Sequence, residues 1–586
     1  MKNGNLQLIK TEYISKKQSN DNKDAILLFT KDENGKKECK IIKEPKLTYY
    51  VSKKEFWGES MINSLDIEKT KVNTITSRYS EIFKSMTETL NDPTFTRTYQ
   101  NIFNEGGNIG YNLKKLHLDD RFHNSDINIE DFYIDLFLQE NPYTENYYPL
   151  TRSFYDIEVD TTNCEGFPDP EEALHPVNII TWVNESTFES FSFMLKYDND
   201  SYHECMNDLD SVREQLKDKY NNYQEGLGDK FKFHFNEYDD ELELIKAFFD
   251  KINEYKPDFC LAWNASFDYV YLFNRIINLG GNPNDIICPD EIPYKKASYY
   301  LDTKNNEPSD KSDEYRNISY TNWMDSMNIY ASVLKSSGRL ESYALDFVAK
   351  QEIGIGKEDT GEGLGDLHIK DYKKFLIYNI QDTVLLQLLE QEKNHIETIY
   401  LIGMLTHTRL SKGLKKTISL RNFAMIFARN NGRILSNNRS HLFRGMSEGK
   451  FKGAFVANPN LIDNVGKVIS SIFQESLNED MTITDWLYTI LKKDNHNSTT
   501  LHDLVQDLDL ASLYPSIISA FNISANNCQL QIHYYNEENR EEETEKFMDH
   551  YMTSDSISFG VQYLNLPSID QMANKIKEDF GYNAFY

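Results

Sequence analysis

The sequence predicts a multidomain protein that combines α/β and α+β architecture, and three observations predict it. Its 586 residues correspond to about four domains at roughly 150 residues each. Hydrophobic residues make up 39% and aromatics 13%, which fills sizeable cores and excludes a disordered chain. From residue 151 onward, short β-branched strands alternate with amphipathic helices, the pattern of a sheet covered by helices.

Residues 1–148 alternate short strands with polar helices, read as an N-terminal domain without obvious chemistry. TRSFYDIEVD (151–160) reads as a strand, followed by a Gly/Pro-rich turn and a second strand, PVNIITWV (176–183). ELELIKAFFDKINEY (241–255) is an amphipathic helix leading through Pro257 into a short apolar strand, FCLAW (259–263). A helix starts near Ser266, residues 302–317 are a hydrophilic loop, and 341–350 and 368–393 read as helices. This predicts an α/β domain over 149–395, a basic connecting segment over 396–465, an insertion over 466–500 and a last domain over 501–586. The 466–500 insertion is a candidate docking site.

The charge balance of 63 basic against 92 acidic residues gives −29, a poor base for bulk binding to nucleic acid or anionic membrane. Residues 401–452 depart from it. Arg409, Lys412, Lys415, Lys416, Arg421, Arg429, Arg433, Arg439, Arg444, Lys450 and Lys452 face one acid, Glu448. A solvated helix face is the ordinary account of a charge run, but so exclusive a sign points to a phosphate-contacting surface. The six cysteines show no CxxC spacing, which suits a reducing cytoplasm rather than a disulfide framework. No signal peptide and no membrane-spanning run are expected, so the protein is expected in the cytoplasm.

Four carboxylates carry the first chemistry. Asp156 and Glu158, at i and i+2 on a strand, share one face. Such acid-x-acid pairs arise by composition ~14 times in this chain, so alone they suit a solvated edge as well as a divalent metal. In WNASFDYV (263–270), Asn264 ends a strand and Asp268 enters the next helix. A helix cap and a favourable dipole charge account for these two equally well. Tyr378 and Asp382, at i and i+4, share a helix face, where the acid can bind metal and the hydroxyl orient a water. An ordinary exposed helix pair has the same spacing.

Taken in order, Asp-x-Glu, Asn-x-x-Phe-Asp and Tyr-x-x-x-Asp resemble the exonuclease signature of DNA polymerases in its tyrosine-containing form. The resemblance implies two-metal hydrolysis of a 3′-terminal phosphodiester with Mg²⁺ or Mn²⁺. Asp156, Glu158 and Asp382 would hold one metal, Asp156 and Asp268 the other, and Tyr378 would position the water.

DLDLASLYPSIIS (507–519) carries the second chemistry. Asp509 ends an apolar strand and can hold a metal. The turn at Ser512–Tyr514 offers backbone N–H groups to phosphates as a helix begins, and Pro515 suits its first turn. The run resembles motif A of family B DNA polymerases, with chance agreement on the order of one in a million. It implies nucleotide binding by Leu510, Ser512, Leu513 and Tyr514, with Tyr514 excluding a ribose 2′-OH. FKGAFV (451–456) resembles the segment joining exonuclease to palm and implies DNA contact by Phe451 and Gly453, beside Arg421, Arg429, Lys450 and Lys452. FPDP (167–170) and ESYALDFVA (341–349) fit as well. Across about residues 100–586 the likeness is to the replicative polymerases of T-even-type bacteriophages. It implies an N-terminal domain, an RNase H-like exonuclease domain and the first part of the palm.

Motif B and the second palm aspartate are missing from the sequence. Tyr551-Met-Thr-Ser-Asp555-Ser556 echoes the latter too early and incompletely. The expectation is therefore the N-terminal subunit of a split polymerase. A C-terminal chain would bring fingers, the rest of the palm and thumb, and contact to a sliding clamp. Primer-template DNA and deoxynucleoside triphosphates are the expected partners. The alternatives are a free-standing 3′–5′ exonuclease with a vestigial motif A, or a non-catalytic primer-template scaffold.

Overall fold

The structure, a computed structural model, describes residues 6–19, 21–57, 66–104, 108–119, 121–144, 147–162, 164, 166–335, 340–356, 366–437, 533–535 and 583–585. The chain divides into two compact units, Met1–Trp57 with Asp66–Asn437, and Gly58–Leu65 with Asn438–Tyr586.

The first unit begins with strands β1 (Gln7–Ile14), β2 (Ala25–Lys31), β3 (Lys37–Lys43), β4 (Lys46–Ser52), β5 (Asp66–Glu68), β6 (Val72–Arg78) and β7 (Phe122–His123). Among them lie helices α1 (Ile82–Leu90), α2 (Pro93–Asn104) and α3 (Ile109–Lys114), and α4 (Ile129–Glu140) follows. Next come β8 (Arg152–Val159), β9 (Val177–Asn184), β10 (Glu189–Leu195), α5 (Asp200–Asn207), α6 (Leu209–Tyr223), β11 (Lys232–Tyr238), α7 (Glu241–Tyr255), β12 (Phe259–Ala262), α8 (Ala265–Asn278) and α9 (Pro283–Ile287). Then follow β13 (Ala297–Tyr300), β14 (Glu314–Asn317), β15 (Asn322–Asp325), α10 (Ser326–Leu334), α11 (Leu345–Ile353), α12 (Leu367–Lys370), α13 (Tyr372–Lys393), α14 (His395–Leu405), α15 (Lys416–Asn430) and β16 (Arg433–Leu435). In the second unit, β17 (His533–Tyr535) pairs antiparallel with β18 (Asn583–Phe585).

The centre is an eight-stranded mixed sheet, ordered β11-β10-β9-β8-β12-β15-β14-β13. Strands β8, β9 and β10 form an antiparallel meander, while β12 runs parallel to both β8 and β15. Every residue of β9 is buried, as expected of a strand covered on both faces. On one face Tyr155, Ile157, Ile180 and Trp182 pack with Leu244, Phe248 and Phe249 of α7 and Tyr269 and Leu272 of α8. On the other, Ile179, Val183 and Met194 pack with Leu216 and Tyr220 of α6 and Phe375, Leu376 and Ile380 of α13. Trp182 is fully buried, so Trp182→Ala costs about 3–5 kcal/mol.

Residues on both sides of position 148 share one hydrophobic core. It joins Leu8, Tyr49 and Ile134 to Phe154 and Leu261 of the large sheet, and to Leu385, Ile399, Tyr400 and Met425 further on. A buried ionic clasp reinforces the join. Asp258, just before β12, accepts Lys31 Nζ at 2.7 Å and Lys37 Nζ at 2.6 Å.

The sequence reading of α7 matches the structure to the residue, and β8, β9, β12 and α8 lie where the reading puts them. Two details differ. The segment 302–317 ends in β14, a polar strand paired with β13, where hydrophilic composition hides the strand. The helix expected over 368–393 breaks at Asp371, whose side chain accepts the Lys374 N–H and starts α13 afresh. Among the described residues no helix is long and apolar enough to cross a membrane, and the described cysteines are free thiols.

Candidate active site

Strands β8, β12 and β15 run parallel side by side, and the carboxyl ends of such strands are where open α/β sheets form their sites. On β8, Tyr155 and Ile157 point into the α7–α8 core, so Asp156 and Glu158 turn to the α13 face. Beyond β12 the chain turns at Asn264 into α8, which carries Asp268 in its first turn. On the far face α13 packs across β8 and β9 and supplies Tyr378 and Asp382, both buried.

The fold gathers three of the four predicted carboxylates. Asp156, Glu158 and Asp382 each offer one oxygen, and these atoms lie within 4.8 Å of one another. Hard oxygen donors so arranged fit a divalent cation such as Mg²⁺ or Mn²⁺. Asp268 lies outside this triad, yet it belongs to the same charge cluster. It is buried, and burial pushes its carboxyl well above the usual range, with Asp156 and then Asp325 pushing it further. A bound cation is the physical counterweight to such a cluster.

Asn264 occupies the cap position of α8 but makes no capping hydrogen bond. Its side-chain oxygen instead accepts the Ser266 hydroxyl at 2.6 Å, so capping does not account for it. Nearby, Phe167 of the FPDP turn is 78% exposed. Its ring centroid lies 4.9 Å from that of Phe267, the neighbour of Asp268.

Two residues that the sequence reading left without a role border the site. Asn379 Nδ2 donates to Asp156 Oδ2 at 2.9 Å. Asp325 ends β15 and caps α10 by accepting the Asn328 N–H at 3.0 Å, and burial raises its carboxyl to about 7. Asn379 lies inside the Tyr378–Asp382 stretch, where a single sequence does not distinguish it from its neighbours. Asp325 carries no local signal.

Within the basic stretch, five of the described residues pair with acids of the protein itself. Arg409 binds Glu130 at 2.5 Å and Asp131 at 3.1 Å. Lys412 pairs with Glu314, Arg421 with Asp126, Arg429 with Asp135 and Arg433 with Asp66. Arg421 and Arg429 thus have carboxylate partners within the protein, so no phosphate is needed to explain their charge. The other expected DNA contacts (Lys450, Phe451, Lys452 and Gly453) and the motif A residues Asp509, Leu510, Ser512, Leu513 and Tyr514 lie outside the described residues.

Comparison with known families defines the class. Residues 106–348 match the exonuclease domain of DNA polymerase family B, so the chain carries a family B polymerase exonuclease domain. Over 379 residues it is 24% identical to the DNA-directed DNA polymerase of Escherichia phage RB69, covering 63% of this chain and 35% of that protein. Over 308 residues it is 23% identical to the DNA polymerase catalytic subunit of varicella-zoster virus (strain Dumas), covering 49% of this chain and 23% of that one. The chain therefore spans about a third or less of these relatives. The family match includes Asp156, Glu158 and Asp268 and stops before Tyr378 and Asp382. The fold itself brings Asp382 to the other two.

Proposed function

We propose that this chain is a 3′–5′ exonuclease that removes terminal nucleotides from DNA, built on an RNase H-like sheet and working as the proofreading part of a family B DNA polymerase. One observation carries the reading: β8 and α13, more than two hundred residues apart in sequence, close a three-carboxylate cluster at the sheet edge. Asp156, Glu158 and Asp382 would hold one divalent cation, and Asp268 with Asp156 a second. When bound, Mg²⁺ or Mn²⁺ supplies Lewis-acid polarisation of the phosphodiester and a more acidic water.

The chain's own residues do the rest. Tyr378, one turn before Asp382 on α13, orients the attacking water through its hydroxyl. The exposed ring of Phe167, braced on Phe267, offers a stacking surface for a terminal base beside Asp268. The water's oxygen forms the new bond to phosphorus, and the 3′ oxygen of the penultimate nucleotide leaves.

For synthesis, Asp509 would be one palm ligand, with Leu510, Ser512, Leu513 and Tyr514 against the deoxynucleoside triphosphate. Fingers, thumb and the second palm aspartate would come from further polypeptide, in the split form from a separate C-terminal chain that also reaches a sliding clamp.

A primer-extension gel tests both parts. The full chain acts on a 5′-labelled primer-template with Mg²⁺, with and without deoxynucleotides, beside Asp156→Ala. Shortening that Asp156→Ala abolishes, with no lengthening, supports the reading. Lengthening restored by a separately encoded chain with motifs B and C identifies the split form. A wild-type chain that neither shortens nor lengthens the primer returns it to a scaffold.

A further inference from the structure

We propose that Asn379 is the positioning residue that fixes Asp156 for cation binding. The inference rests on the exonuclease reading and deepens it.

Asn379 is fully buried between α13 and the large sheet. Leu376, three residues before it on α13, packs in one apolar cluster with Ile179 and Val183 of the sheet. An amide is an expensive occupant of such a place unless its hydrogen bonds are made. Its nitrogen donates to Asp156 Oδ2 at 2.9 Å, while its oxygen is buried with no hydrogen-bond partner among the described residues. Its backbone is tied as well, because Thr383 Oγ1 donates to the Asn379 carbonyl at 3.0 Å. The donor is therefore held by a helix turn and aimed at one carboxylate oxygen.

Asn379 and Asp382 are three residues apart on α13, so they are neighbours on one helix face. The same helix thus delivers a carboxylate to the cluster and an amide to the partner carboxylate on β8. A carboxylate has about four lone-pair directions, and the amide occupies one of them on Oδ2. That bond restrains the Asp156 carboxyl, one of whose oxygens lies within 4.8 Å of an oxygen from Glu158 and one from Asp382. The amide does this without adding a charge to a cluster already rich in like charges. Outer partners of this kind orient metal ligands, and their loss weakens metal binding by roughly 10–100-fold.

The Asn379→Leu substitution keeps the volume and suits the apolar surroundings while removing the donor. A merely structural Asn379 would leave metal binding untouched by that change. The test is Mn²⁺ titration of the full chain, with free Mn²⁺ followed by electron paramagnetic resonance, beside the Mn²⁺ dependence of trimming of a 5′-labelled single strand. The expected result is a half-saturating Mn²⁺ concentration raised about 10–100-fold in both assays, with the trimming rate at saturating Mn²⁺ largely restored. Should Asn379→Leu fail to fold, Asn379→Ser, whose hydroxyl is too short to reach, carries the same expectation. Wild-type Mn²⁺ affinity in the substituted chain overturns the assignment. If the wild-type chain binds Mn²⁺ but does not trim, the exonuclease reading falls, and the titration alone still decides the role of Asn379.

Discussion

Two regions of the molecule bury carboxylates in opposite ways. Around α4, each acid meets a base. Glu130 accepts the Tyr13 N–H at 3.0 Å and Arg409 at 2.5 Å, Asp131 accepts the Arg409 N–H at 3.0 Å, and Asp135 takes His407 Nδ1 at 2.7 Å beside Arg429. At the β8–α13 edge, acid meets acid within 4.8 Å. The ionisations follow. Burial pushes the Asp135 carboxyl up, but His407 and Arg429 outweigh it and hold it below the usual range. Burial pushes Asp268 up, and Asp156 and Asp325 add to the push. The first arrangement holds the fold together. The second stores a repulsion that a cation relieves, which is the physical mark of a site rather than a staple.

The largest expected effect would break the comparison at its acidic end. Asp382→Ala lowers Mg²⁺-dependent 3′ trimming by about 10²–10³-fold, the loss typical of removing one preorganised electrostatic group from a reaction centre. It leaves the melting temperature equal to or above wild type in chelator. Retained trimming in single-turnover assays would show that the cluster is not the reaction centre.

At the paired end, Arg409→Ala strands Glu130 and Asp131 in the interior. It destabilises by about 3–5 kcal/mol, read from urea midpoints. An unchanged midpoint would mean that the α4 pairs are ornamental and the contrast empty.

Asp325 sharpens the middle of the range. Its folded value of about 7 lies above the ordinary 3.8. Its protonation therefore contributes stability that is fully present below pH 3.8 and lost as pH rises through about 7. Asp325→Asn keeps the α10 cap and removes the titration. In chelator it raises stability at pH 8 by up to about 4 kcal/mol and flattens the loss between pH 4 and pH 8, by thermal melts across that range. A parallel pH profile in the variant would contradict the assignment.

The smallest effect separates stapling from DNA contact. Arg421 and Arg429 are half-buried, so each Ala substitution costs about 1 kcal/mol. With their charge committed to Asp126 and Asp135, the slope of log affinity for primer-template against log salt stays at the wild-type value. A slope reduced by about one per substitution would make them phosphate contacts after all.

The sequence showed the pieces of the site better than their neighbours. Asp156 and Glu158 were legible because strand periodicity puts i and i+2 on one face, and Tyr378 with Asp382 because helix periodicity aligns i and i+4. Periodicity does not say that α13 crosses β8, and only that crossing joins Asp382 to the strand and gives Asn379 its acceptor. The basic run was legible as a charge run, but the acids that pair with five of its residues were not. The acids that pair with Arg409, Arg421 and Arg429 sit on or beside α4, nearly three hundred residues earlier, beyond any local pattern. The mixed sheet was half legible. Apolar β9 and β12 read as strands, whereas β14, paired on both sides by β13 and β15, vanished into a hydrophilic stretch because its four residues, Glu314–Asn317, are mostly polar.

The most direct measurement of the central claim is single-turnover trimming of a 5′-labelled single-stranded oligonucleotide by the full chain. It compares Mg²⁺ with chelator, and wild type with Asp156→Ala, Asp382→Ala and Arg421→Ala. The account predicts a ladder growing from the 3′ end in Mg²⁺, absent in chelator and in both aspartate variants, and present in Arg421→Ala. A ladder that survives in Asp156→Ala and Asp382→Ala would contradict it, because hydrolysis would then come from somewhere other than the carboxylates that β8 and α13 bring together.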